Sequence, residues 1–391
     1  FRVNLHCCLS SFCILIAIFA SFHPALICLA MKDCFCMPPN ETFVMKSISG
    51  KSIFINSLLL LLSVIFSLLL LEQGFRCWLF GWKAFDIEAL RNNVPINNAG
   101  FMVQSPFDDI YWALKPDLDI SFKLARLTTN SHGMADHEYP LEKPANSYRI
   151  AVLGDSYSMS SGVDTDKSFH ALLENWMNEQ GNHPYEIINF AVGGFGLERY
   201  NATLEHLVPE WKPDAILLGY CGFNDHQALP PKTNSSVPAF NPRRINGFWM
   251  SYVNEYIRMK QNEKTAMQDT SGAVLGEEHL TFIDHQLGNM RTLADRIKPD
   301  MPIVLAYLDN RAHSEQDLQN IEAIAKKHNI RFVDTSRQFK ETNIDDYSIH
   351  MLDSHPDSRA QTMFAKTLFY AIQQKQLFGF SKMASPQVTP Q

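Results

Sequence analysis

An α/β fold is predicted for residues 148–376 from three features of the sequence. Short apolar runs recur along this part of the chain, amphipathic segments separate them, and a polar or glycine-containing turn follows each run. Runs of this kind are typical of buried parallel strands. Because strands and helices alternate, the crossovers are right-handed and helices cover both faces of the sheet. The pattern predicts a flavodoxin-like three-layer α/β/α sandwich with a parallel five-stranded sheet.

The individual elements follow in chain order. The predicted strands occupy residues 149–154, 185–190, 214–220, 302–307 and 331–334. The predicted helices occupy residues 168–180, 197–207, 279–297, 314–328 and 358–374. In sheets of this kind the ligand crevice lies outside the carboxyl ends of the strands. We therefore expect functional residues directly after the apolar runs.

Residues 52–72 are predicted to form an N-terminal transmembrane anchor. The run SIFINSLLLLLSVIFSLLLL has no charge and reaches the ~20 residues that a helix needs to span a bilayer. Lys46 and Lys51 precede it, so the positive-inside rule places that flank in the cytoplasm and everything after Glu72 outside, in the periplasm. A buried core helix and a cleaved signal peptide are the alternatives. Another apolar stretch in the upstream segment 1–44 predicts a possible extra span, and the change in composition at Met45 suggests a native start there.

Three further regions surround the predicted sheet. Residues 73–147 are interpreted as a juxtamembrane connecting region, and residues 377–391 as a C-terminal tail. Residues 226–278 contain no clear strand and are rich in proline and aromatic residues, which predicts a lid or substrate-binding insertion. The net charge of −7 without a cluster of Lys or Arg argues against nucleic-acid binding.

Four short motifs stand where functional residues are expected. GDS at 154–156 follows the first strand, Gly194 lies in NFAVGGFG after the second, GFND at 222–225 follows the third, and DSHP at 353–356 precedes the last helix. Together and in this order they resemble the blocks of the SGNH (GDSL) hydrolases, over about residues 148–375. The preceding stretch SHGMADHEYPLEKPANSYRI is similar to that of membrane-anchored bacterial members.

The residues themselves indicate catalysis by a serine nucleophile. A serine hydroxyl attacks poorly unless a base takes its proton, so Ser156 requires an imidazole within hydrogen-bond reach, and His355 is the best candidate. Asp353 is predicted to orient His355 and to stabilise the imidazolium. The common family pattern resembles Asp-x-x-His, whereas a single residue separates the two here. Asp345 and Asp346 therefore compete with Asp353 for the role of the acid.

Negative charge builds on the carbonyl oxygen during attack, and hydrogen-bond donors must face it. The resemblance implies that these donors, the oxyanion hole, are the backbone N–H groups of Ser156 and Gly194 and the side-chain amide of Asn224. A glycine at position 194 lets the backbone approach the substrate closely. Zinc-binding motifs do not occur in the sequence beyond the anchor, so we expect neither a metal nor another cofactor.

These observations predict a serine esterase that hydrolyses carboxylic (acyl or acetyl) esters through an acyl-serine intermediate. If the anchor places the enzyme outside the cytoplasm, the expected substrates are small-molecule, glycan or lipid esters of the cell envelope. Two alternatives stay open. One is an O-acyltransferase that modifies a polysaccharide with the same residues, and the other is a catalytically silent binding module that retains the fold.

Overall fold

The structure is a computed structural model that describes residues 50–94, 100–222, 224–226, 246–266, 275–311 and 313–381. The chain divides into two compact units, residues 1–65 and 66–391. Some of the predictions lie outside the described residues. They are the extra span within 1–44, the start at Met45, the parts of the insertion at 227–245 and 267–274, and the tail from residue 382.

A long helix, α1, runs over Gly50–Phe80 and contains the whole predicted span, residues 52–72. Among the described residues it is the one helix that is long and apolar enough to cross a membrane, by length and composition. Leu60, Leu69 and their neighbours are exposed, whereas the side chains of a core helix are buried. The helix is therefore a candidate membrane span.

The remaining elements alternate much as the sequence predicts. The strands are β1 Met102–Gln104, β2 Trp112–Leu114, β3 Asp119–Phe122, β4 Ala125–Thr128, β5 Tyr148–Gly154, β6 Tyr185–Asn189, β7 Ala215–Tyr220, β8 Ile303–Tyr307, β9 Arg331–Asp334, β10 Ser348–His350 and β11 Asp353–Pro356. The helices after α1 are α2 Ile87–Arg91, α3 Phe169–Gln180, α4 Leu197–His206, α5 Tyr252–Ala266, α6 Glu277–Ile297, α7 Glu315–Lys327 and α8 Ser358–Lys375.

The central sheet has the order β6-β5-β7-β8-β9, and each neighbouring pair is parallel. This is the second-first-third-fourth-fifth order of a flavodoxin-like sheet. Side chains alternate between the two faces of a strand. Ile150 and Val152 pack with residues of α3 and α8 on one face, while Ala151 and Leu153 pack with α4, α6 and α7 on the other. The predicted three-layer α/β/α sandwich is confirmed.

The stretch predicted as a connecting region, 73–147, contains two hairpins. β1 pairs with β2 and β3 pairs with β4, each antiparallel. Met102, Leu114, Phe122 and Leu127 are buried in the same apolar cluster as one face of the central sheet. Strands of three or four residues are too short to produce a visible hydrophobic period.

A third hairpin lies just before the last helix. β10 pairs with β11, and the carboxylate of Asp357 accepts hydrogen bonds from the first backbone N–H groups of α8. An Asp at this position stabilises a helix start. The described part of the predicted insertion contains a short 3-10 turn at Gly247–Trp249 and α5.

Candidate active site

Ser156 stands two residues after the end of β5, at the carboxyl edge of the sheet. Gly154 is required there, because a Cβ on it would lie 2.1 Å from the Ser158 hydroxyl. The chain then turns sharply, with the Ser161 N–H donating to the carbonyl of Ser156 over 3.0 Å. The turn leaves the Ser156 side chain half-buried, in the wall of a cavity.

The hairpin β10–β11 brings His355 to Ser156 across 199 positions of the chain. The Nε2 atom of His355 lies 2.9 Å from the Ser156 hydroxyl oxygen, which is hydrogen-bond distance. The two side chains that the sequence pairs as nucleophile and base therefore face each other. A proton can pass directly from the hydroxyl to the ring.

The other ring nitrogen of His355, Nδ1, lies 2.5 Å from Oδ1 of Asp353. The same carboxylate oxygen accepts the backbone N–H of His355 over 3.1 Å. Both residues are on β11, where residues two positions apart share a face. Asp345 and Asp346, the competing acids, are exposed on a separate 3-10 turn.

Asp353 is held in its charged form. Burial alone would raise the pKa of the carboxyl, but the hydrogen bond to His355 and the ammonium of Lys123 hold it far below the usual range. Lys123 Nζ lies 2.7 Å from Oδ2 of Asp353. A charged carboxylate is the form that can orient an imidazole and stabilise an imidazolium.

Gly194 lines the same cavity as Ser156. Its φ of 80° lies in the left-handed region, which favours glycine. A Cβ on Gly194 would lie 3.3 Å from the ring of Trp112, so a larger residue would also be crowded. The backbone conformation at position 194 thus depends on glycine.

Asn224, the third expected donor, is not among the residues that line the cavity. Its Nδ2 donates to Oδ2 of Asp155 over 3.0 Å, which leaves the second amide hydrogen for another acceptor. Burial raises the pKa of Asp155, and burial together with the nearby Asp155 raises that of Asp225 well above its usual value. Asp225 accepts hydrogen bonds from the Tyr200 hydroxyl and the Cys221 N–H. The Asn224 amide is thus held by the buried carboxyl of Asp155.

The cavity has a volume of about 640 Å³ and receives residues that the sequence did not single out. They include Asn93 after α2, Trp112 and Lys123 from the hairpins, and His350 from the hairpin before α8. Tyr252 of α5, in the predicted insertion, also lines the cavity. Burial lowers the pKa of His350 to about 4, so this second histidine is neutral at neutral pH. No short motif surrounds these residues, so their role in the site is visible only after folding.

Within the described residues, no group of three or more His, Cys, Asp or Glu side chains could hold a metal ion. In the wall of the cavity a hydroxyl, an imidazole and a carboxylate are hydrogen-bonded in series. Such a series suits proton transfer to and from a nucleophile.

Comparison with solved structures finds lipases and esterases of low sequence identity. The lipase Lip_vut3 from a goat rumen metagenome is 17% identical, covers 57% of this chain and 97% of its own, and has a TM-score of 0.36. The acetylxylan esterase Axe2 from Geobacillus stearothermophilus is 17% identical, with 57% and 94% covered and a TM-score of 0.35. A lipase/acylhydrolase from Enterococcus faecalis is 12% identical, with 61% and 100% covered and a TM-score of 0.37. A scan against protein families finds no match, and no curated protein matches the sequence.

Proposed function

We propose that this chain is an SGNH-type serine esterase that hydrolyses carboxylic esters through an acyl-Ser156 intermediate. One observation carries the proposal. Asp353, His355 and Ser156 form an unbroken hydrogen-bonded series, with contacts of 2.5 and 2.9 Å, in the wall of a cavity of about 640 Å³. A carboxylate, an imidazole and a hydroxyl in this order activate a serine for attack on a carbonyl.

The reaction proceeds in two halves. The Ser156 hydroxyl oxygen attacks the ester carbonyl carbon while Nε2 of His355 takes its proton. His355 then gives this proton to the leaving alcohol, and the acyl group stays on Ser156. In the second half a water molecule attacks the acyl carbon and His355 takes the proton of the water. The acid leaves as the Ser156 oxygen recovers that proton from His355.

We expect hydrogen-bond donors to stabilise the charge that develops on the carbonyl oxygen. The proposed donors are the N–H groups of Ser156 and Gly194 and the second amide hydrogen of Asn224. Donors fixed before the reaction need no reorganisation when the charge develops, and one of them typically contributes about 2.7–4 kcal/mol to transition-state stabilisation.

The substrate class follows from the cavity and from α1. Trp112, Met250, Tyr252 and Leu352 line the cavity beside the polar groups, which suits an ester with an apolar or sugar surface. We propose that α1 anchors the enzyme in a membrane with the catalytic unit outside the cytoplasm. Esters of envelope carbohydrate or lipid are then the substrates.

The nucleophile is tested with Ser156→Ala in the full chain. We expect kcat for hydrolysis of p-nitrophenyl acetate to fall by at least about 10⁴-fold, because the acyl-enzyme can no longer form. A fluorophosphonate should label the wild-type chain at the peptide that contains Ser156, as read by mass spectrometry, and should leave the variant unlabelled.

Ser358→Ala is the matched control, since Ser358 is an exposed serine three positions after His355. It should hydrolyse the ester and react with the probe as the wild type does. Full activity of Ser156→Ala, or labelling of the wild type at another serine, would falsify the assignment.

A further inference from the structure

The mechanism above does not use Lys123, although its ammonium group reaches the acid end of the site. Lys123 Nζ lies 2.7 Å from Oδ2 of Asp353 and 3.1 Å from Nδ1 of His355. Only 9% of the Lys123 side chain is exposed. A buried charge requires a partner, because an unpaired one is costly to remove from water. Asp353 is that partner.

The backbone at Lys123 is strained in a way that the local sequence does not favour. A two-residue turn joins β3 to β4, and in it Lys123 has a φ of 47° and Leu124 a φ of 67°. Turns with two residues in the left-handed region prefer Asn-Gly, because a side chain with Cβ is strained there. Strain at single positions often accompanies functional sites. Here the strained turn presents Lys123 to Asp353.

Two neighbours compete for Nδ1 of His355. For Nε2 to take the Ser156 proton it must be unprotonated, so the proton of the neutral ring belongs on Nδ1. That proton is donated to Asp353, and a protonated Nδ1 cannot accept a hydrogen bond from Lys123. Asp353 therefore engages the ring with one oxygen and the ammonium with the other. This arrangement prevents Lys123 from donating to Nδ1, which would favour the tautomer with its proton on Nε2.

We propose that Lys123 is a positioning residue of this esterase, which fixes the second oxygen of Asp353 and places a positive charge 3.1 Å from Nδ1 of His355. The inference rests on the proposed function. Asp353 and His355 stand only two positions apart, so Oδ1 of Asp353 is committed to the ring and to the backbone N–H of His355. Oδ2 would be without this anchor if Lys123 were absent, and the carboxylate could rotate away.

The charged and titratable groups that face His355 come from several elements. Asp353 and His350 belong to the β10–β11 hairpin, Asp155 follows β5, and the Tyr157 ring centroid lies 5.5 Å from that of His355. Lys123 is the cation in this set. A positive charge near an imidazole disfavours its protonation, so the pH profile is the measurement that reports removal of the Lys123 charge.

Three substitutions in the full chain test the proposal. Lys123→Met keeps the shape of the side chain without charge, Lys123→Asn suits the left-handed turn without charge, and Lys123→Arg keeps the charge. Both neutral variants should lower kcat about tenfold. They should also move the acidic limb of the pH profile of kcat/KM to higher pH by about one unit. Lys123→Arg should keep the acidic limb where the wild type has it.

A double substitution separates action through Asp353 from a general structural effect. In an Asp353→Asn background, Lys123→Met should cause no further loss in the rate of labelling by the fluorophosphonate, because residues that act as a unit are not additive. Thermal unfolding identifies the neutral variant that keeps the wild-type fold, and Asn is the one that the turn favours.

The proposal is overturned if the acidic limb stays in place in both neutral variants, or if Lys123→Met costs as much in the Asp353→Asn background as in the wild type. It is also overturned if the substitution only raises KM for anionic esters, since Lys123 would then bind substrate. In each of these cases the wild type still labels at Ser156, so failure of this inference differs from failure of the proposed function.

Discussion

Two regions of the molecule line the cavity: one carries the proposed reacting groups, and the other carries side chains that support them. The sheet domain, residues 148–381, carries the proposed nucleophile, base and acid: Ser156 follows the carboxyl end of β5, and Asp353 and His355 lie on β11. The hairpin region, residues 101–139, contributes Trp112 and Lys123, which line the cavity. The reacting groups thus lie where the fold places a crevice. The groups that support them come from short hairpins whose position depends on packing.

The largest effect should come from removing the negative charge of Asp353 in the sheet domain. Asp353→Asn should lower kcat by about 10³–10⁴-fold, because an amide at this position allows the wrong ring tautomer and does not stabilise the imidazolium. The measurement is kcat for an activated ester with the fold checked by circular dichroism.

Asp345→Asn is the control for this change, since Asp345 is exposed and is one of the two competing acids. It should keep wild-type activity. If Asp345→Asn lost as much activity as Asp353→Asn, the acid would have been assigned to the wrong residue.

A smaller effect is expected where the hairpin region is attached to the sheet domain. Asp136 accepts the N–H of Asn189, the last residue of β6, over 2.9 Å and lies beside the imidazoles of His137 and His170. Burial opposes the charge, yet these imidazoles lower its pKa from 3.8 to about 2. Asp136 is therefore ionised, and its carboxylate links the hairpin region to β6 of the sheet domain.

The lowered pKa sets the sign of the pH dependence. The stabilisation is fully present above pH 3.8, the value for the unfolded chain, and is lost as the pH falls towards 2. It amounts to about 2 kcal/mol. Asp136→Asn should lower the free energy of unfolding by this order at pH 7 and should flatten its decline below pH 4, as measured by urea denaturation. An unchanged decline in the variant would show that Asp136 does not carry it.

The sheet domain could be predicted well, because its signals are local. Each strand of the central sheet is an apolar run, and the five observed strands begin and end within one residue of the predicted positions. The role of Ser156 could be predicted from a motif at the end of a strand. The role of His355 could be predicted because a serine hydroxyl needs a base to take its proton. The acid could not be fixed among Asp345, Asp346 and Asp353, because only the two-residue period of β11 shows which carboxylate turns to the ring.

The hairpin region could not be predicted in the same way. Lys123 and His355 are 232 positions apart, and no pattern near Lys123 indicates an ion pair with a distant aspartate. The turn that carries it lacks the Asn-Gly signal of its type. Its conformation is imposed by packing, so interpretation of residues 73–147 as a connecting region left out the contacts that matter at the cavity.

The smallest effect should come from Trp112 of the hairpin region, which lies beside Gly194, a proposed oxyanion donor. Its indole N–H donates to the carbonyl of Gly193 over 3.3 Å, and Arg199 lies over the ring at 4.4 Å while donating to the carbonyl of Gly194 over 2.7 Å. The carbonyl of Gly193 and the N–H of Gly194 belong to the same planar peptide group. The hydrogen bond from Trp112 to that carbonyl therefore fixes the direction of the 194 N–H.

Trp112→Phe keeps a ring and removes the donor. It should lower kcat by about three- to tenfold with little change in KM, because one neutral hydrogen bond is lost and the donor is needed most in the transition state. Trp249→Phe, at a tryptophan that is 80% exposed, is the matched control and should leave kcat unchanged. A rise in KM at constant kcat would instead assign Trp112 to substrate binding, and the hairpin region would then support the oxyanion hole less directly than it supports Asp353.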